Sequence, residues 1–201
     1  CIRDSINIPQ LGVGSHTLSV KFFNANGIEQ TSLASTQTVN VVVGDSGQIA
    51  SMTTSASGVD TLKLSSHAQT MDFTKLGTST IDKVDLGNFG GNVVKLSTAD
   101  VLDAGTNLFN TAGGWTFSNA ADSTHAATYH QMVMDGSGSV ERGNSSVTLT
   151  ESAAAINTLS PWALTGTASH AGSNYNVYTN VVTDNVQLLI NQNLAVSSVL
   201  I

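Results

Sequence analysis

Apolar residues recur at every second position in short runs along this chain. Leu18, Val20 and Phe22 alternate with Ser19 and Lys21, and Val39, Val41 and Val43 repeat the spacing in a second run. The same period returns at Met71 and Phe73, Val84 and Leu86, Val94 and Leu96, Met132 and Met134, and Val186, Leu188 and Ile190. Alternation of this kind predicts strands with one buried face. Turn signals separate the runs: Asn24-Ala25-Asn26-Gly27, the glycine-rich stretch 86–92, and Asp135-Gly136-Ser137-Gly138. Two helical turns are expected. Ser97-Thr98-Ala99-Asp100 has capping-box spacing before Val101-Leu102, with Gly105 as a stop, and 150–157 is the second.

Composition sharpens this reading. Of 201 residues only 10% are charged, and the fourteen acids comprise eleven Asp and three Glu. Glu, Lys, Arg and Gln populate helix surfaces because they keep rotamer freedom there. A chain so poor in them is expected to be all-β. The strand runs and glycine-rich turns predict a β-sandwich or roll module with short helical turns; the resemblance described below implies that truncated Ig-like sandwich strands precede it. Residues 1–43 hold too few strands to close a core and are read as the C-terminal part of a domain. Residues 44–60, rich in Gly, Ser, Thr and Ala and without periodicity, read as a linker. Residues 61–201 form the main module. Stretches 111–129 and 152–160 look like insertions.

A net charge of −7 opposes binding to nucleic acid or to an anionic membrane surface. No apolar run is long enough for membrane insertion as a helix. One cysteine, Cys1, permits no internal disulfide.

Catalytic patterns were sought and not found. No Gly-x-Ser-x-Gly occurs, since Gly143-Asn144-Ser145-Ser146 continues with Val147. Gly12-x-Gly14 and Gly136-x-Gly138 lack the third glycine of a dinucleotide loop. His125 and His130 form a close pair without the remaining ligands of a zinc site. Glu29, Glu141 and Glu151 offer no evident glycosidase pair. The chain is therefore expected not to be an enzyme. Calcium is the one cofactor the composition suggests, because it takes six to eight oxygen ligands from Asp, carbonyls and water. Asp135 in its glycine-rich turn and Asp45 beside the linker are the candidate metal ligands. Asp100 with Asp103 is a further pair, for which helix capping is the simpler role. Trp162, Tyr175 and Tyr178 are candidates for a sugar-binding platform, or for core and edge packing.

Two stretches resemble known families. Leu11-x-x-Gly14-x-His16-Thr17-Leu18-x-Val20, the Gly27 turn and Thr38-Val39-x-Val41 are similar to the last strands of bacterial Ig-like repeats, which usually carry Tyr where His16 stands. Over 61–196 the matching motifs come in order. They are Ile81-Asp82-Lys83-Val84-Asp85-Leu86, then Gly91-Asn92-Val93-Val94-Lys95-Leu96-Ser97-x-x-Asp100-Val101-Leu102, then Met132-Val133-Met134-Asp135-Gly136-Ser137-Gly138. Trp162, Gly166, Tyr175-Asn176-Val177-Tyr178-Thr179 and Val186-Gln187-Leu188-Leu189-Ile190 follow. This series resembles a module towards the C-terminal end of large repetitive bacterial surface adhesins of the biofilm-associated and RTX-adhesin type. Such modules usually carry Asp-Gly-Asp-x-Gly-Asp where this chain has Asp135-Gly136-Ser137-Gly138-Ser139, so two carboxylates are missing. The resemblance implies a secreted, extracellular module at the bacterial cell surface, non-enzymatic, serving cell adhesion or biofilm formation. Its implied partners are neighbouring β modules of the same chain and a surface or matrix ligand. The alternative is a carbohydrate-binding module using surface aromatics with Asp and Asn.

Overall fold

A computed structural model describes residues 14–20, 37–43, 49–53, 58–64, 66–75, 81–118, 129–137, 143–151, 161–183 and 185–200. Side chains are described from residue 58 onward. Three strands precede that point: β1 (Gly14–Val20), β2 (Gln37–Val43) and β3 (Ile49–Thr53). From residue 61 the chain forms β4 (Thr61–Lys63), β5 (Thr70–Asp72), β6 (Lys83–Asp85), β7 (Val93–Leu96), α1 (Thr98–Leu102) and β8 (Thr116–Phe117). It continues with β9 (His130–Asp135), β10 (Ser146–Glu151), β11 (Trp162–His170), β12 (Ser173–Asn180), β13 (Val186–Asn191) and β14 (Ala195–Leu200). The chain is thus mostly strand with few helical turns, as its composition predicts.

The strands form two sheets. The first runs β1-β2-β3-β4-β6-β9-β13-β12-β11-β8 and the second β14-β10-β7-β5. Within the first, β4, β6, β9 and β13 are mutually parallel. All four strands of the second are parallel. Successive members of these two sets alternate between sheets. The chain therefore winds four times, and each coil gives one strand to each sheet.

Register stacks the alternating residues into columns. Leu62, Val84, Met134 and Ile190 align across the first sheet. Met71, Val94, Val147 and Val196 align across the second. All but Val196 are fully or almost fully buried, and the two columns meet in one core with Phe73, Leu86, Leu96 and Leu149. A one-residue slip would turn every one of them to the opposite face of its sheet and break up this core, which fixes the register.

The outer face of the first sheet is covered as well. Residues between β7 and β9 bring Phe109 and Trp115 against Val133, Leu189, Val177, Ala168 and Tyr175. This second cluster explains why all six residues of β13 are buried. The antiparallel hairpin of β11 and β12 extends the first sheet beyond β13, and β8 pairs with β11 at its edge.

Near the N-terminus, β1 pairs antiparallel with β2, placing Leu18 opposite Val39. β3 lies inside the stretch read as a linker and joins β2 to β4 through antiparallel ladders. The expected helical turn near Ser97 is α1. The second, expected over 150–157, is corrected at its start. Thr150 and Glu151 end β10 instead, because strand pairing with β14 continues through them. The remainder of that stretch lies outside the described residues. Among the described residues no helix is long and apolar enough to cross a membrane.

Candidate functional site

The coils meet at a polar corner just before the second sheet. The residues preceding β5, β7, β10 and β14 are Gln69, Asn92, Ser145 and Leu194. Asn92 Oδ1 accepts the Gln69 amide at 2.8 Å, and Ser145 Oγ accepts the Asn92 amide at 3.2 Å. The first two coils thus each use a side chain from the next to satisfy a buried backbone amide. Ser145 also donates to the Phe89 carbonyl at 3.0 Å. Asn92 and Ser145 are fully buried. A buried N–H without a partner costs about 1–3 kcal/mol, so these residues decide whether the turns stack.

The Asp135 turn belongs to the same stacking. Leu86 N–H donates to the Asp135 carbonyl and Ser137 N–H to the Gly87 carbonyl, both at 2.9 Å. A methyl group on Gly136 would lie 3.0 Å from Leu86 Cβ and 3.2 Å from the Gly87 carbonyl oxygen. Glycine stands there because two turns approach that closely.

The Asp135 side chain points along the outer face of the first sheet. Lys63, Asp85 and Asp135 form one column, with Asn191 and Tyr175 on the strands beyond. Lys83 Nζ donates to Asp135 Oδ2 at 2.8 Å, and Asn191 Nδ2 to Oδ1 at 3.0 Å. Lys63 lies 3.5 Å from Asp85. Two carboxylates side by side would repel, and the two lysines offset that. Burial pushes the Asp135 carboxyl upward. The Lys83 hydrogen bond and charge, with Asn191 and Tyr175, outweigh it and hold the group below its ordinary value. Burial, and then the Asp135 charge, push the Tyr175 hydroxyl up to about 12.

These neighbours do not suit calcium. Asp135 meets an ammonium, an amide nitrogen and a phenol, whereas the ion needs six to eight oxygens. Among the described residues no group of three or more His, Cys, Asp or Glu is placed to hold a metal. Asp45 lies outside the described residues. Asp100 turns back on Ser97, accepting its N–H at 2.7 Å and its hydroxyl at 2.9 Å. It caps α1, and Asp103 is exposed beyond it.

Other singled-out residues hold the frame. His130 Nδ1 lies 3.0 Å from the Ala104 carbonyl, and His125 is outside the described residues. Gly105 does not end α1, which stops at Leu102. Its N–H donates instead to Asp82 Oδ1 at 2.6 Å, while Asp82 Oδ2 accepts the Asp60 amide at 2.7 Å. Trp162 and Tyr175 are only 7% and 2% exposed, so neither presents a ring to solvent. Tyr178 packs half-buried against the main core.

Sequence reasoning missed one feature, a groove of about 310 Å³ on β8, β11 and β12. Thr116, Ser118, Thr167, Ser169, Asn174 and Gln192 line it. No long motif marks it, because its residues come from four separate segments. The alternation in β11 and β12 was the available signal: Thr167 and Ser169 flank buried Ala168, and Asn174 and Asn176 flank buried Tyr175.

No protein-family model, curated protein or solved structure matches the chain.

Proposed function

We propose that this chain is a non-enzymatic structural and adhesive module of a large secreted bacterial surface protein, contributing to attachment or biofilm formation. One observation carries the reading. Four coils are cross-tied by apolar columns and by the Gln69–Asn92–Ser145 corner, a construction suited to a rigid spacer. We read the winding as a roll-type module, with β1 and β2 as the tail of an Ig-like repeat. The ordered motif series over 61–196 supports placement at the cell surface. Neighbouring β modules of the same chain would be its immediate partners.

The test uses cells that produce the parent protein. An antibody raised against 61–201 should label intact cells, and deletion of the module should lower attached biomass. Unlabelled cells with unchanged attachment would overturn the reading.

A second reading, a carbohydrate-binding module, is favoured by the uncharged groove on β8, β11 and β12. Its buried rings give no aromatic platform, so recognition would depend on hydroxyls and amides.

A further inference from the structure

We infer that the groove formed by β8, β11, β12 and Gln192 is a binding site for an uncharged saccharide. The inference rests on the attachment reading for its setting and names the ligand class that attachment would use.

The strands place the groove by simple alternation. Ser169 stands opposite Asn174 and Thr116 in the ladders of β11 with its two neighbours. Thr167 and Ser169 therefore share one face, while Ala168 and Tyr175 fill the second apolar cluster behind it. Gln192 closes the groove from the turn after β13, where its N–H donates to the Asn174 carbonyl at 3.0 Å.

The lining selects the ligand. Every lining side chain is uncharged: four hydroxyls, two amides and Ala168. Burying a charged group against them would leave it unpaired and costly. Sugar hydroxyls both donate and accept, and so do Ser, Thr, Asn and Gln side chains. Part of this capacity is already used. Ser118 and Thr167 share a hydroxyl–hydroxyl contact, and Gln192 Nε2 donates to Asn176 Oδ1 at 3.1 Å. Among the described residues the side chains of Thr116, Ser169 and Asn174 make no hydrogen bond to protein. The methyl groups of Thr116 and Thr167 add small apolar contacts for the C–H faces of a ring. A volume of about 310 Å³ lies at the small end of ligand pockets and suits a short saccharide.

The groove is also held rigid. Trp115, one residue before Thr116, stacks on His170 at 4.6 Å with planes 9° apart. Tyr175 and Phe109 pack on the same indole at 4.9 and 5.5 Å. A site ordered before binding loses less entropy on binding.

The test applies the full chain to an array of neutral, sialylated and sulfated glycans, followed by calorimetric titration of the hits. Binding should be confined to neutral glycans. Asn174→Ala and Thr116→Ala should each weaken it about tenfold, the worth of one or two hydrogen bonds. Both side chains are exposed, so melting curves should match the parent's and show that the variants fold. Lys95→Ala, on the second sheet away from the groove, should bind as the parent does. The inference fails if no neutral glycan binds, if acidic glycans bind equally well, or if both groove variants bind unchanged. A module that labels intact cells yet binds no glycan would overturn the groove alone and leave the attachment reading standing.

Discussion

Replacing Asn92 by alanine should loosen the coils at a fully buried polar joint. The side chain is fully buried, and its Oδ1 is the acceptor for the Gln69 amide at 2.8 Å. Removing it leaves that N–H unpaired, at about 1–3 kcal/mol. It also removes the weaker 3.4 Å bond from Nδ2 to the Phe89 carbonyl and opens a small cavity. The sum is about 2–4 kcal/mol, which in a chain of this size lowers Tm by about 5–15 °C. Urea unfolding followed by tryptophan fluorescence is a suitable assay, since Trp115 and Trp162 are both buried. Asn88→Ala is the control. Asn88 is exposed in the same turn, and its loss should stay within about 0.5 kcal/mol. Asn92 Nδ2 and Ser145 Oγ donate to the same Phe89 carbonyl, so Asn92→Ala combined with Ser145→Ala should depart from additivity by about 0.5 kcal/mol or more. If Asn92→Ala costs no more than the control, the corner does not hold the coils together and the stacking argument is wrong.

Three further outcomes are expected. Gly136→Ala should destabilise by about 1–3 kcal/mol in the same assay, because a methyl group has no room between the turns. Asp135 has a depressed folded-state pKa, so its contribution is present above the unfolded value and lost as pH falls through the folded one. Asp82 and Asp100, raised chiefly by burial, act oppositely: their contribution is present below the unfolded value and lost as pH rises through the folded one. Lys83→Met removes what holds Asp135 down. Stability at neutral pH should fall by about 1–3 kcal/mol, and the acid limb of the pH–stability curve should move to higher pH. Melting curves in chelator and in millimolar calcium should coincide within about a degree, since an ion stabilises only if the folded state binds it. A larger shift that vanishes in Asp135→Ala would show that the ion displaces Lys83.

The strands were legible where one face is buried and the other is wet. Val84 and Leu86, Val94 and Leu96, and Met132 and Met134 announced β6, β7 and β9 through alternation alone. How these strands pair was not legible. Alternation reports which face is inward, whereas β6 lies between β4 and β9, the latter reached only after an excursion through β7, α1 and β8. β13 shows the converse. Its period-two signal was read from Val186, Leu188 and Ile190, yet Gln187, Leu189 and Asn191 are buried too, under cover that no local pattern announces. The candidate site divides in the same way. Asp135 could be found as an acid in a glycine turn, but Lys83, its counter-ion, lies 52 residues away in sequence. Asn92 drew attention as part of a turn, and nothing local shows that its amide serves Gln69 on another coil. Strand spacing leaves Trp162 and Tyr175 open to a platform or to core packing, and the sheets behind them decide for the core.

The winding has a consequence for how freely such a module can change. The first-sheet strands begin at Thr61, Lys83, His130 and Val186, so the coils take 22, 47 and 56 residues. Closing a flexible loop of 56 residues rather than 22 costs only about 0.8 kcal/mol more, since the entropy grows with the logarithm of length. The ladder of β13 on β9 is in register regardless of what is spelled between them. Lengthening a coil therefore need not disturb the ladder it closes, and the added chain can extend the sheet at its edge, as the hairpin of β11 and β12 does beyond β13. A coil of this kind is a chassis: it can acquire and exchange passenger loops at small energetic cost while its core sequence stays fixed.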